Sequence, residues 1–395
     1  MIKTVGELNS LIYQKAAIDK IPVSGTFELT ARCTLHCKMC YVCDPAEAKA
    51  KELTAEQWIE LGRQARDAGM FYLLITGGEP LMRADYKEIH KGLQDLGLML
   101  TINSNGTTIT EEMADFLAEH PPLRMSITLY GANPETYKRL TGHAEGFQMA
   151  RDGFERLKKR GIPCRLRTVL MPDLADDIND IARYIVDQGL PVGLVNYIMP
   201  GREDNGNEQA KVRYSAEESA KAEADLNAFL RELAEERRKN MPEPEKKDDK
   251  PEKEGEKKDE IDKLADSMLE TEEDEIDQVP VVPEKESAFR CSSGKYAFWV
   301  TYDGLVTPCA MLREPAVDIG KGKPFDEAWQ EIIDGCAAVP TCADCESCED
   351  RKFCVVCPAR LLVETGSFAK KAEYLCAKAR ILRETVEARQ AAEEK

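Results

Sequence analysis

The sequence predicts an α/β fold built on a parallel sheet, followed by a smaller cysteine-rich domain. Three observations predict it. From about Thr26 to Tyr197, short apolar runs alternate with amphipathic segments in a repeated strand–helix pattern. Nine of the 14 cysteines fall between Cys291 and Cys376. Between these regions, residues 241–278 hold 17 acidic residues and 7 lysines, and so carry −10 of the net charge of −18. The 395 residues suffice for two or three domains at roughly 100–200 residues each.

Taken in order, VGELNSLIYQKAAIDK reads as a helix within an extension, residues 1–25, too small to be a domain. Within residues 26–214, TFELT, FYLLIT, LMLTINSN, RMSITLY, CRLRTVLM and VGLVNYIM read as strands. TAEQWIELGRQARDAG, DYKEIHKGLQDLG, EEMADFLAEH and DINDIARYIVDQG read as helices between them. About six such units leave an open partial barrel and a doubly wound sheet as alternatives, and in both the functional groups gather at the C-terminal ends of the strands. Residues 215–240 read as one amphipathic connecting helix, stopped by MPEP. Residues 241–286 have few apolar side chains to offset ordering entropy and are expected to form an acidic flexible insertion without chemistry, with a transient helix around IDKLADSMLE. The cysteine-rich domain is placed at 287–376 and a C-terminal helix at 377–395.

Composition excludes some classes. No apolar run approaches the roughly 18 residues of a membrane helix. The opening MIKTVGELNS has neither an apolar core nor a small-residue cleavage site, so a cytoplasmic location is expected. The acidic balance disfavours nucleic acid as a partner. In that compartment thiols stay reduced, which makes metal ligation the expected use of the cysteines.

The first strand ends in ARCTLHCKMCYVC, which spaces Cys33, Cys37 and Cys40 as C-x3-C-x2-C. Such spacing also fits one packed helical face, but Arg32, Thr34, His36 and Lys38 make the segment polar and favour ligation. Three thiolates hold three irons of a [4Fe–4S] cluster and leave the fourth open to a small molecule's amino and carboxylate groups. This motif resembles that of the radical S-adenosylmethionine (SAM) superfamily, and the resemblance spans the strand–helix region. It implies a partial (β/α)6 barrel and reductive cleavage of SAM to methionine and a 5′-deoxyadenosyl radical that takes a hydrogen atom from substrate. After FYLLIT, the run Gly77, Gly78, Glu79, Pro80 matches the family's GGEP motif, which binds the amino group of SAM. There the glycines let backbone approach the ligand and Glu79 accepts from the ammonium. Asn103, Asn105 and Ser126 stand where family members bind the ribose and carboxylate of SAM, although the Asn-Gly pair at Asn105 also suits a turn. Arg167 fits a carboxylate partner or a barrel-edge salt bridge equally. The usually aromatic residue before the third cysteine is Met39, with Tyr41 just beyond.

The run Cys345-x2-Cys348-x5-Cys354-x2-Cys357 is too crowded for a zinc ribbon, and iron–sulfur ligation fits it better. With Cys291, Cys309 and Cys376 it resembles the SPASM extension of radical SAM maturases of peptides and proteins. By that resemblance Cys291, Cys309 and Cys357 hold one auxiliary [4Fe–4S] cluster, and Cys345, Cys348, Cys354 and Cys376 a second. Two departures stand out. The last spacing is x2 where the family has x3, and residues 280–290 lack the cysteine that family members carry before the position of Cys291. The first auxiliary cluster then has an open iron or borrows Cys342 or Cys336. Cys43 and Cys164 read as buried or idle thiols, against a role as hydrogen-atom donors.

Together these readings predict a radical SAM oxidoreductase that modifies a ribosomally synthesised peptide or protein, by a cross-link such as a thioether or by epimerisation. No catalytic side chain is singled out beyond the cluster ligands. The expected partners are the peptide or protein substrate and an electron donor such as flavodoxin or ferredoxin; leader recognition, if used, needs a separate leader-peptide-binding protein or another surface, since the first 25 residues leave no room for such a domain. One alternative is an anaerobic sulfatase-maturing enzyme that forms formylglycine. Another, of a different class, is a non-catalytic zinc-binding scaffold with Cys43 or His36 as a fourth ligand.

Overall fold

The computed structural model describes residues 5–42, 48–201, 208–240, 268–271, 288–354 and 356–393. Among these described residues ten strands form one mixed sheet: β1 (Ser24–Glu28), β2 (Tyr72–Thr76), β3 (Met99–Ser104), β4 (Arg124–Thr128), β5 (Cys164–Val169), β6 (Val192–Val195), β7 (Leu269–Thr271), β8 (Ala297–Val300), β9 (Leu305–Thr307) and β10 (Val317–Asp318). Their order is β10-β9-β8-β1-β2-β3-β4-β5-β6-β7. Neighbours from β1 to β6 are all parallel and follow the chain without the reversal that a doubly wound sheet has at its switch point.

The helices are α1 (Val5–Asp19), α2 (Ala48–Lys51), α3 (Ala55–Asp67), α4 (Tyr86–Asp95), α5 (Glu111–Glu119), α6 (Pro134–Thr141), α7 (Gly146–Lys159), α8 (Ile178–Asp187), α9 (Glu208–Lys211), α10 (Ala216–Asn240), α11 (Phe325–Ala337), α12 (Ala343–Glu346), α13 (Pro358–Thr365) and α14 (Glu373–Glu393). Helix α3 begins at a capping box, in which the Thr54 hydroxyl accepts from the Gln57 amide and the Gln57 side chain accepts from the Thr54 amide. It buries Trp58, Leu61 and Ala65. Alternation along the strands sends Leu73, Ile75, Leu100, Ile102, Met125 and Ile127 into the same core. Of the alternate residues, which face the other way, Leu74, Thr76, Asn103 and Thr128 line a cavity. Among the described residues no helix is long and apolar enough to cross a membrane.

The cysteine-rich region shares this sheet. Strand β8 pairs in parallel with β1, and β9 and β10 continue the sheet antiparallel. Gly25 permits the closeness, since a Cβ there would lie 2.7 Å from the Phe298 ring.

Two expectations change. Residues 268–271 lie inside the stretch read as a flexible insertion, yet β7 pairs with β6 in the register Val192↔Leu269, and Met268 is buried. The free edge of β6 supplies ladder partners that composition does not reveal: the Val192 amide donates to the Met268 carbonyl at 2.7 Å. The end of the transient helix placed around IDKLADSMLE is therefore extended, and the rest of 241–286 lies outside the described residues. At the C-terminus, α14 begins at Glu373, ahead of the boundary at 377, so Cys376 sits in its first turn.

Candidate functional site

A cavity of about 400 Å3 opens at the C-terminal ends of the strands. It lies within the ~300–1,000 Å3 range of small-molecule sites. Its wall takes Thr76 from β2, Asn103 and Ser104 from β3, Thr128 from β4, Arg167 and Val169 from β5, Val195 from β6 and Trp299 from β8. The loop after β1 closes one side with Cys33, Cys37 and Cys40, and both Met39 and Tyr41 line the space beside them.

Backbone and ion-pair contacts fix this loop. The amides of His36 and Lys38 donate to the carbonyls of Thr141 and Leu140 at the end of α6, at 2.9 and 3.1 Å. At its base Glu52 receives the Arg32 guanidinium at 2.8 and 2.9 Å and the Thr30 hydroxyl. Arg83 braces the same point, donating to the Leu29 and Leu53 carbonyls and pairing with Asp85 at 2.7 Å.

The GGEP turn runs directly against this loop. Gly78 N–H donates to Thr30 O at 2.7 Å and Glu79 N–H to Arg32 O at 2.8 Å. Gly77 has φ +142°, and a Cβ on it or on Gly78 would come within 2.3 or 2.2 Å of the backbone oxygens of Thr30 and Arg32. The glycine pair thus serves the approach of two backbones as well as lining the cavity.

Glu79 is fully buried behind the cavity wall, where its carboxylate accepts from Ser104 Oγ at 3.0 Å, the Asn105 amide at 2.7 Å and the Leu81 amide at 3.2 Å. Burial pushes its carboxyl up to about 7. These partners occupy the carboxylate expected to receive an ammonium, and two of them, Ser104 and Asn105, line the cavity. Pro80 starts a short 3-10 turn, also buried. The Asn105 side chain lines the cavity, donates to Thr34 Oγ1 at 2.9 Å and points Nδ2 at Cys33 Sγ at 3.4 Å. Ser126 is buried, paired in register with Asn103, and sits below the residues that line the cavity.

Burial raises the Cys33 and Cys37 thiols above their ordinary range, and Cys40 and Cys33 raise Cys37 further. A cation among them reverses that preference, because thiolates are the form that binds metal. Among the described residues no three His, Cys, Asp or Glu side chains already stand in coordination geometry. The donor set still fits an iron–sulfur cluster: three thiols at one wall, with an amide N–H aimed at one sulfur.

The remaining cysteines form two groups. Cys291, Cys309 and Cys357 are electrostatic neighbours, and burial lifts Cys309 to about 12. Cys345, Cys348, Cys354 and Cys376 form the other group, which Cys342 adjoins through Cys345. Cys164 lies at the start of β5, away from the cavity, and donates to Ile162 O at 3.3 Å. Cys43 lies outside the described residues.

Three wall residues escaped the sequence. Tyr130 follows β4 and hydrogen-bonds the Cys37 thiol. Trp299 arrives on β8 and donates to Glu28 at 3.0 Å. Tyr197 donates to Glu364 at 2.6 Å. An aromatic at the end of each apolar run was the available signal; for Trp299 there was none, because the pairing of β8 with β1 is not local.

The Radical SAM superfamily model matches residues 27–185. The AdoMet-dependent heme synthase of Methanosarcina barkeri is 29% identical over 199 residues, which are 50% of this chain and 57% of that protein. The PqqA peptide cyclase of Ruegeria pomeroyi is 28% identical over 168 residues, 42% of this chain and 45% of that one. The chain thus spans about half the length of the curated relatives it matches. Streptococcus suis SuiB shares the fold, at 17% identity over 95% of this chain: its structure with S-adenosylmethionine gives a TM-score of 0.64 over 84% of that chain, and its complex with precursor peptide SuiA gives 0.62 over 82%.

Proposed function

The chain belongs to the radical SAM superfamily, and from that premise we propose that it is a radical SAM enzyme that modifies a ribosomally synthesised peptide or protein. Cys33, Cys37 and Cys40 would hold the first cluster, and Gly77, Gly78 and Asn105 would border the SAM beside it. Bound there, a [4Fe–4S] cluster supplies the electron that cleaves SAM to methionine and a 5′-deoxyadenosyl radical. The observation that carries this reading is the convergence of the three cysteines, the GGEP turn and the ends of β2 to β6 on one cavity.

The protein's own residues prepare that cavity. Glu79 holds the Asn105 backbone, and Asn105 in turn orients Thr34 and faces Cys33. Val169, Val195, Tyr197 and Trp299 give the cavity an apolar and aromatic surface that would exclude water from a reactive intermediate. Arg167 supplies a positive group suited to a carboxylate. The chain-ordered strands β1 to β6 with a cavity on one face support reading the sheet as an open partial (β/α)6 barrel.

A peptide substrate is favoured by the cysteine-rich region. We assign Cys291, Cys309 and Cys357 to one auxiliary [4Fe–4S] cluster and Cys345, Cys348, Cys354 and Cys376 to another, serving electron transfer during a thioether cross-link or an epimerisation. An external donor such as flavodoxin or ferredoxin would supply electrons. The test is anaerobic turnover of SAM with dithionite, read as 5′-deoxyadenosine. The reading predicts product from the native chain and none from the Cys33→Ala, Cys37→Ala, Cys40→Ala variant, with auxiliary iron retained. Cleavage that survives in the variant refutes it.

A further inference from the structure

We propose that Cys336, at the end of α11, is the fourth ligand of the first auxiliary cluster, completing the set of Cys291, Cys309 and Cys357. The inference rests on reading 288–376 as an auxiliary-cluster region and deepens it, because a cluster with four cysteine ligands carries electrons and has no iron left to bind a substrate thiolate.

The sequence leaves this set one ligand short, and two cysteines compete for the place. The structure separates them. Cys336 is 4% exposed, and its side chain lies against the turn that follows Cys291: a Cβ added to Gly294 would fall 2.6 Å from Cys336 Sγ and 2.9 Å from its Cβ. The turn is tight, since the amides of Lys295, Tyr296 and Ala297 all donate to Ser292 O, at 3.0 to 3.1 Å. Gly294 adopts φ +66°, so this position favours glycine on two grounds, backbone conformation and room for the cysteine. Cys291 is an electrostatic neighbour of Cys336, as it is of Cys309 and Cys357.

Cys342 belongs elsewhere. It lies in a separate core with Leu361 and Leu375, against which Cys345 packs, and its carbonyl accepts from the Cys345 amide at 2.9 Å. That neighbourhood already contains the four cysteines of the second set. On ligation each of the four thiols releases its proton to solvent and binds iron as thiolate.

The test uses the full chain carrying Cys33→Ala, Cys37→Ala and Cys40→Ala, reconstituted anaerobically so that only auxiliary iron remains. It reads iron per chain and the hyperfine coupling of 13C-cyanide, a probe for an open iron. With Cys336 present, about eight irons and no cyanide coupling are expected. Adding Cys336→Ala should either create the coupling or remove about four irons while the second set keeps its own. Adding Cys342→Ala should do neither. Should the alanine variant fail to fold, Cys336→Ser is expected to shift the g values of one reduced cluster by replacing sulfur with oxygen. Cyanide coupling with Cys336 in place, or an unchanged spectrum and iron content in both Cys336 variants, overturns the proposal. Absence of auxiliary iron from the starting protein overturns the cluster reading itself, a distinct result.

Discussion

At Glu79 the motif's one charged side chain points away from the cavity, into a cage of donors from Ser104, Asn105 and Leu81. Its position beside the cysteine loop was legible, because GGEP follows a strand directly. The direction of its side chain was not, since that depends on Ser104 and Asn105 arriving from β3. Its carboxyl, raised to about 7 by burial, gives a pH prediction. Below the unfolded value of 4.5 the group is neutral in both states; as pH rises through the folded value, the native state must hold a buried carboxylate that the unfolded chain hydrates freely. Glu79 therefore withdraws stability with rising pH, about 1 kcal/mol between pH 6 and 8. Glu79→Gln should flatten that part of the profile while lowering stability at pH 6 by about 1–3 kcal/mol, since an amide NH2 meets the Asn105 donor. Thermal unfolding of both proteins across this range checks it, and an identical slope in both contradicts the buried-carboxyl account.

Among elements, α13 shows how the cysteine-rich region is tied to the cavity. Glu364 accepts from Arg213 at 2.5 and 2.9 Å and from Tyr197, while the Arg213 guanidinium stacks 3.8 Å from the Tyr374 ring centroid. Arg213 and Glu364 are largely buried, so removing one partner strands the other. Glu364→Leu should cost about 3–5 kcal/mol, and adding Arg213→Met should recover much of it. Chemical denaturation of the single and double variants reads the coupling; additive losses would deny it. Neither residue stood out in the sequence, because a pair 151 residues apart leaves no local pattern. Strand β7 was hidden for a related reason: three residues within an acidic run acquire an extended form only from the edge of β6. By contrast, α3, α8 and α10 were legible from apolar spacing alone, since each buries a face set by its own period.

For the whole molecule, the sheet makes one body of two compositional regions. The alternating strands and helices revealed β1 to β6, whereas the parallel pairing of β8 with β1 carries the cysteine-rich region onto the sheet and brings Trp299 to the cavity. Deletions test how far the acidic stretch takes part. Removing 243–266 should leave unfolding and SAM cleavage within experimental error. Removing 243–278 should destabilise the protein by about 2–5 kcal/mol, because it takes away buried Met268 and uncovers the edge of β6. Equal stability of the two deletions would show that β7 contributes nothing.

The central claim is that three cysteine sets hold three iron–sulfur clusters, one of them at the cavity. The most direct measurement is iron, sulfide and zinc per chain in anaerobically prepared protein, with and without Cys33→Ala, Cys37→Ala and Cys40→Ala. The account predicts about twelve irons and as many sulfides, falling by about four of each in the variant. About two zincs and no iron would contradict it and leave a scaffold stapled by metal.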